Sequence, residues 1–374
     1  MRATDARAIR APLLRWYRRA KRDLPWRRTR DPYAIWVSEV MLQQTTVAAV
    51  IPYWERFLAR YPTLRSLARA REHDVLAAWS GLGYYRRARA LRHGAIAVMD
   101  GHRGRVPETV DALLELPGVG RYTAGAIASV AFGREEPVVD GNVKRVFSRL
   151  FALRGRSGTV AEGTYWSLAA TLVPGPSPGD WNQAIMELGA TVCTPREPRC
   201  DCCPVAPSCR ALALGRVAEF PAPKKPLEVR VVPVAVSWIE RRNRVLLEQR
   251  HPEGPLRGVW DLPATVIPQG VAPGRAIARA IAERHGFTVQ SRKVLLKARH
   301  SILATRLAID VVEATPQNTV PRRTSLRWAP LDRLGEVAIS GATAKIARAV
   351  IAQKSGAASA SASLSSGSRG LANA

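Results

Sequence analysis

Five cysteines in 374 residues are too few for a disulfide framework, and four of them are bunched between Cys193 and Cys209. Such bunching fits a metal site in a reducing compartment better than a set of cross-links. Long apolar runs are missing too: no stretch of 18 apolar residues occurs, and the N-terminus lacks the apolar core of a secretory signal. Secretion and membrane spanning are therefore not expected, and the expected location is cytoplasmic. Acidic residues are also scarce, with 30 Asp+Glu against 57 Lys+Arg and a formal charge of +27. This imbalance suits a protein that displaces counterions from a polyanion, which favours nucleic acid over a membrane as partner. A high Arg, Ala and Pro content also follows from genome composition, so the charge by itself does not decide the partner.

A chain of this length exceeds one compact core and predicts two or three domains. Its centre is the stretch from Leu113 to Phe147. An apolar helix ends at Leu116, Pro117-Gly118-Val119-Gly120 follows, a second helix starts at Tyr122, and Pro137-Val138-Val139 leads to Asp140-Gly141-Asn142. Two helices joined by a glycine hairpin is the expectation, with Gly118 and Gly120 adopting backbone angles that a Cβ would forbid. The free N–H groups opening the second helix form a seat for phosphate, with DNA the obvious anion. Pro-Gly-x-Gly is equally an ordinary helix stop followed by a helix start. Upstream, Ile9–Tyr17 reads as a basic helix, and Asp31-Pro32 opens another that carries Glu39 and Gln43-Gln44. Further helices are predicted at Val47–Arg60, Thr63–Ala70 and Glu72–Trp79, making an all-α region. Gly81-Leu82-Gly83-Tyr84-Tyr85, followed by Arg86, Arg87 and Arg89, combines aromatic and cation in a way that suits nucleic acid, or caps a helix with one Tyr packed inside.

Cys193, Cys200, Cys203 and Cys209 are spaced C-x6-C-x2-C-x5-C. Four thiolates hold either zinc or an iron–sulfur cluster, and generic chemistry leaves both open. Cys202 adjoins a ligand and reads as a bystander. The Pro-rich basic segment 215–228 is a linker that separates residues 1–214 from a second, α+β domain at 229–354. There, Val229–Ile239, Arg244–Gln249, Val294–Lys297 and Leu303–Val312 predict strands and Gly274–His285 a helix. Residues 355–374, rich in Ser, Ala and Gly, are expected to be disordered.

Six features then converge: DPYAIWVSEVMLQQT at 31–45, GLGYY at 81–85, LPGVGRYT at 116–123, VVDGNVKR at 138–145, NQAIMELGA at 182–190, and the four-cysteine loop. Together they resemble the A/G-specific adenine DNA glycosylases, the MutY type of the helix-hairpin-helix superfamily, strongly over about residues 10–215. The resemblance implies an all-α helix-hairpin-helix glycosylase domain whose cysteine loop holds a four-iron four-sulfur cluster, followed by an α+β Nudix-like domain. It implies base-excision repair by hydrolysis of the glycosidic bond of adenine opposite 8-oxoguanine or guanine. The expected partner is double-stranded DNA carrying such a mispair, and the expected state is a monomer.

Releasing adenine calls for an acid to protonate the base and a carboxylate beside the oxocarbenium-like sugar. By resemblance Glu39 protonates adenine N7, which requires its pKa to rise above the free value of about 4.3. Asp140 stabilises the sugar cation electrostatically or covalently, Asn142 positions it, and Tyr122 orients the pair. Gln44 and Tyr84 match the wedge that fills the gap left by the flipped base. Arg27 and Glu187 match positions contacting the extruded adenine. Gly118, Gly120 and Lys144 are placed among the DNA contacts.

The second domain resembles the Nudix-like domain that reads 8-oxoguanine, through Trp238, Arg250 and Gly258–Pro263. Ala280 and Arg284 replace two carboxylates that a hydrolase would need for metal, so nucleotide hydrolysis is not expected. The lesion-reading loop departs from the family's Phe-Ser-His, and its counterpart Arg299–Leu303 offers His300 and Ser301 for lesion contact. One rival is an endonuclease III-type glycosylase/lyase, which carries lysine where this chain has Tyr122. Another is a non-catalytic damage binder, which would have no use for Glu39 and Asp140.

Overall fold

The computed structural model describes residues 3–154, 160–222, 228–249, 254, 256–302 and 304–365. Contacts divide the chain into two compact units, Met1–Ala70 with Arg87–Lys225, and Arg71–Arg86 with Pro226–Ala374. Pro223, Lys224, Lys225 and Pro226 of the linker, together with Arg250 and Leu303, lie outside the described residues. None of the described helices is long and apolar enough to cross a membrane.

Along the first part of the chain run α1 (Ala3–Ala20), α2 (Pro32–Leu42), α3 (Val47–Arg60), α4 (Leu64–Arg69), α5 (Glu72–Ala78), α6 (Arg86–Gly101) and α7 (Val110–Leu114). There follow α8 (Arg121–Phe132), α9 (Gly141–Leu150), α10 (Glu162–Leu172), α11 (Pro178–Thr191) and the single turn α12 (Arg210–Ala213). All of these but α5 and the first residue of α6 belong to the first unit, which is thus all-α. Its hub is α2: Asp31 caps the helix by accepting the Tyr33 N–H at 3.0 Å, Pro32 fixes the first turn, and every side chain from Tyr33 to Met41 is buried. A helix apolar on all sides has no solvent face, so Glu39 is carried into the interior with its neighbours.

The hairpin between α7 and α8 forms as expected, but its two glycines do different work. Gly118 has φ +78°, and a Cβ there would lie 2.4 Å from the Ala90 Cβ. Gly120, by contrast, caps α8 with φ −98° and ψ 174°, extended backbone open to any residue. Nothing lies within 4 Å of where its Cβ would be. The expectation that Gly120 needs a forbidden angle is therefore corrected: what its missing side chain leaves is open room beside the first N–H groups of α8. On the far side of the unit, Ile9, Leu13 and Tyr17 of α1 pack with Val146, Phe147 and Leu150 of α9 and Trp181, Ile185 and Leu188 of α11. That core sets α9 and α11 side by side.

The second unit holds seven strands and two long helices among its described residues: β1 (Arg230–Trp238), β2 (Glu240–Arg241), β3 (Arg244–Glu248), β4 (Ala264–Val266), α13 (Pro273–His285), β5 (Val289–Ile302), β6 (Thr305–Pro316), β7 (Leu326–Pro330) and α14 (Gly341–Ser365). One sheet has the order β4-β1-β6-β5, with β1 and β6 parallel, and the other β2-β3-β7. Val236, Trp238, Leu247, Val311 and Ile346 form one core, and Ala235, Leu246, Ile277, Ile281 and Val312 another. The residues of β1 alternate between the two, as a strand covered on both faces must. Disorder was expected from Ser355, but the backbone of α14 is helical to Ser365. A run of Ala between Ser residues has enough helix propensity to extend a helix already started. Residues 366–374 lie outside the described set.

Candidate active site

A cleft of about 650 Å³ opens in the first unit between α2, α8, the head of α9, and α11. Its walls include Arg27, Glu39, Gln44, Tyr122, Asp140, Asn142 and Glu187, so seven of the residues singled out from sequence meet in one place. Glu39 is 8% exposed, and its Oε2 has no hydrogen-bond partner among the described residues. Burial pushes its carboxyl up to about 7, with Tyr122 and Arg27 opposing and Asp140 adding to the rise. Burial likewise drives the Tyr122 phenol well above its ordinary value, so it stays neutral. The Tyr122 hydroxyl donates to Met186 Sδ at 3.3 Å.

Asp140 is the N-cap of α9. Its Oδ1 accepts the Val143 N–H at 2.7 Å and its Oδ2 accepts Asn142 Nδ2 at 2.8 Å. The extended approach through Pro137-Val138-Val139 and the capping geometry aim this carboxylate into the cleft. Asn142 is oriented in turn: Arg145 Nη2 donates to its Oδ1 at 2.9 Å, and also to Gly189 O at 2.7 Å, while Arg145 Nε reaches Cys193 O at 2.8 Å. Gly189 lets α11 come this close, since a Cβ there would lie 2.6 Å from the Asn142 Cβ. Arg145 and Gly189 are site residues that sequence reasoning missed, although both lie inside quoted motifs.

Opposite Glu39 stands a carboxyl of the other kind. Glu187 is 1% exposed and accepts Arg22 Nε at 2.7 Å, Arg22 Nη2 at 2.8 Å and Arg27 Nη2 at 2.8 Å. Burial pushes this carboxyl up, but the hydrogen bonds from Arg22 and Arg27 outweigh it and hold the group at about 2. Arg27 with Glu187 was expected; Arg22, the bidentate partner, was not, because it is 165 residues from Glu187 and nothing local marks it.

Gln44 is exposed at the cleft with φ 57°, and Tyr84 is half exposed in the second unit with φ 50°. Both are non-glycine residues in left-handed backbone, a strain that concentrates at functional positions. Gly118 and Gly120 are exposed at the hairpin, and Lys144 Nζ pairs with Glu162 Oε2 at 2.6 Å, outside the cleft wall. Cys193, Cys200, Cys203 and Cys209 line one cavity with Val146, Leu188 and Val205, while Cys202 is exposed and not part of it. Arg149, 3% exposed, ties that loop down by donating to Cys193 Sγ at 3.3 Å, Thr194 O at 2.7 Å and Pro195 O at 3.0 Å. Among the described residues, no group of three or more His, Cys, Asp or Glu is placed to hold a single metal ion.

In the second unit His300 and Ser301 are strand residues near the tip of the β5–β6 hairpin, paired with Leu307 and Arg306. His300 is half-buried, with burial and then Lys345 lowering its pKa against Asp261, and Ser301 is exposed. Arg284 Nη1 donates to the buried Glu248 at 2.9 Å and His285 Nε2 lies 2.8 Å from it. The residue that replaces a metal-binding carboxylate thus puts its own cation against a carboxylate.

Residues 37–168 match the HhH-GPD superfamily of base excision DNA repair proteins, and residues 234–349 match the NUDIX domain. The rat (Rattus norvegicus) adenine DNA glycosylase is 37% identical over 402 residues, 92% of this chain and 78% of that one. The chain belongs to the adenine DNA glycosylase family. The human (Homo sapiens) adenine DNA glycosylase is 37% identical over 94% of this chain and 76% of its own. That of Mycolicibacterium smegmatis is 45% identical over 56% and 70%. Among solved structures, a thermostable thymine-DNA glycosylase superposes with a TM-score of 0.53 at 32% identity, covering 56% of this chain and 98% of that one. The two family matches follow one another along the chain, the helical one first and the NUDIX one after it.

Proposed function

We infer that this protein is a base-excision repair enzyme that hydrolyses the N-glycosidic bond of adenine in DNA, acting on adenine opposite 8-oxoguanine or guanine. The observation that carries the chemistry is the pairing of a neutral, buried Glu39 with Asp140 across one cleft. Glu39 is protonated up to about pH 7, so it can give a proton to the ring of a flipped-out adenine and make a better leaving group. Asp140, fixed by Val143 N–H and Asn142, faces the place where positive charge develops on the sugar. Flipping the base costs a few kcal/mol, and the exposed Gln44 at the cleft mouth, with Tyr84, is assigned to filling the gap. The Arg22–Glu187–Arg27 wall offers fixed polar groups to the adenine edge.

Tyr122 supplies no amine, so no imine forms with the sugar and the enzyme is monofunctional, leaving an intact abasic strand. The four cysteines around one cavity fit a four-iron four-sulfur cluster: they form an all-sulfur donor set around a shared space rather than a single-ion grip. When bound, that cluster supplies a rigid cross-link for the loop beside Arg149. The second unit, with His300 and Ser301 at a hairpin tip, is assigned to the opposite base. The working unit in this reading is a monomer.

The test is a single-turnover assay on duplexes bearing adenine opposite 8-oxoguanine, guanine, cytosine or thymine, with products run with and without alkali. Adenine release should be fastest opposite 8-oxoguanine and strand scission should require alkali. Equal rates opposite all four bases would refute the mispair assignment, and nicking without alkali would refute the monofunctional one.

A further inference from the structure

The Tyr122 hydroxyl sits between two acceptors of different kinds. On one side, in the same cleft wall, is the Glu39 carboxyl, whose Oε2 has no hydrogen-bond partner among the described residues, and on the other the Met186 thioether, which takes the O–H at 3.3 Å. A phenol has one proton to donate and two lone pairs to accept with, and a thioether can only accept. If the O–H points at sulfur, the phenol oxygen meets Glu39 as an acceptor, and only the protonated carboxyl can satisfy it. If the O–H points at Glu39, it favours the carboxylate. Met186 is half-buried on α11, one residue before Glu187, and lines the cleft. Nothing in the reaction as described uses it.

We propose that Met186 is a positioning residue for the acid step, its sulfur taking the Tyr122 O–H so that Glu39 is left as the donor of the pair. The proposal rests on the reading of Glu39 as the acid. The Glu39 proton goes to adenine, and the phenol then turns its O–H from sulfur to the new carboxylate, the stronger acceptor. No other proton is needed. The remaining groups facing Glu39 are Asp140 from the head of α9 and Arg27 from the segment before α2, and neither reaches Met186 through a hydrogen bond among the described residues. Among the described residues Tyr122 is the one that bonds to the sulfur and also acts on the Glu39 carboxyl.

The test compares pH profiles of single-turnover adenine release, using a duplex with adenine opposite 8-oxoguanine. Met186→Leu keeps the volume and removes the acceptor. The phenol proton then stabilises the Glu39 carboxylate, and the alkaline fall in rate moves to lower pH. A thioether is a weak acceptor, so the shift should be roughly half a pH unit, about threefold in rate near pH 8 with little change near pH 5. Met186→Gln, whose amide oxygen restores an acceptor, should return the fall to the wild-type position or above it. In a Tyr122→Phe background Met186→Leu should shift nothing. A wild-type fall that Met186→Leu leaves in place, or a shift that persists without the Tyr122 hydroxyl, overturns the role of Met186 alone. A wild type with no alkaline fall, or Glu39→Gln with wild-type activity, overturns the reading of Glu39 and this proposal with it.

Discussion

Glu39 in the first unit and Glu248 in the second are both glutamates taken out of water, and their surroundings make them opposites. Glu248 has Arg284 at 2.9 Å and His285 at 2.8 Å. Glu39 has one oxygen without a partner among the described residues and a carboxyl pushed up to about 7. Burial alone does not make a catalytic acid; burial without a cation in contact does. Glu187 makes the same point within the cleft, since two arginines hold it at about 2 only one wall away. The Nudix-like unit thus ties its buried carboxyl to Arg284 and His285, while the helical unit leaves one oxygen of its own without a hydrogen-bond partner among the described residues.

The largest expected effect comes from removing the poised proton. Glu39→Gln should lower single-turnover adenine release by about 10²–10⁴-fold with duplex affinity unchanged, because the amide fills the same space and cannot act as the acid. A variant keeping more than about a tenth of the rate, a barrier change under roughly 1.4 kcal/mol, would erase the contrast between the two carboxyls. Next is the partner removed from the other side: Arg284→Ala takes the guanidinium away from Glu248, which keeps His285 and the Ala264 N–H among its partners. It should cost about 2–3 kcal/mol of stability, below the value for a fully buried pair because Arg284 is about a third exposed. Adenine release per folded molecule should be unchanged, and a denaturant titration beside an activity assay checks both.

The smallest effect is a pH-dependent one. Glu39 carries a folded pKa above its unfolded value, so the folded state binds the extra proton and stability falls as pH rises from about 4.5 to about 7. Glu39→Gln escapes this loss. Its stability advantage over wild type should therefore grow by roughly 1–2 kcal/mol between about pH 5.5 and pH 7. A constant difference across that range, followed by thermal unfolding, would place the Glu39 titration below it.

Much of this site could be read in the chain because its residues sit on local signals. Asp31-Pro32 announces the helix that carries Glu39, the Pro-Gly-x-Gly hairpin announces α8 and Tyr122, and Asp140 stands where a helix N-cap belongs. Arg22 and Met186 were invisible for the opposite reason: each acts through a partner far off in the chain, 165 residues away for Arg22 and 64 for Met186. A basic residue in a basic stretch and a methionine in an apolar helix carry no mark of such a contact. In the second unit the branched runs marked the long strands, while the two-residue β2 and three-residue β4 are too short to show alternation. Gly120 was misread because a glycine kept for open space looks in sequence like one kept for a left-handed turn.

The claim at the centre is that Glu39 enters the reaction with its proton on, and the wild-type pH profile of single-turnover adenine release tests it most directly. The rate should hold steady in mild acid and fall about tenfold for each pH unit above about 7, the value to which burial raises this carboxyl. A rate unchanged from about pH 5 to pH 9, or one that rises across that range, would mean that Glu39 is already ionised when the bond breaks.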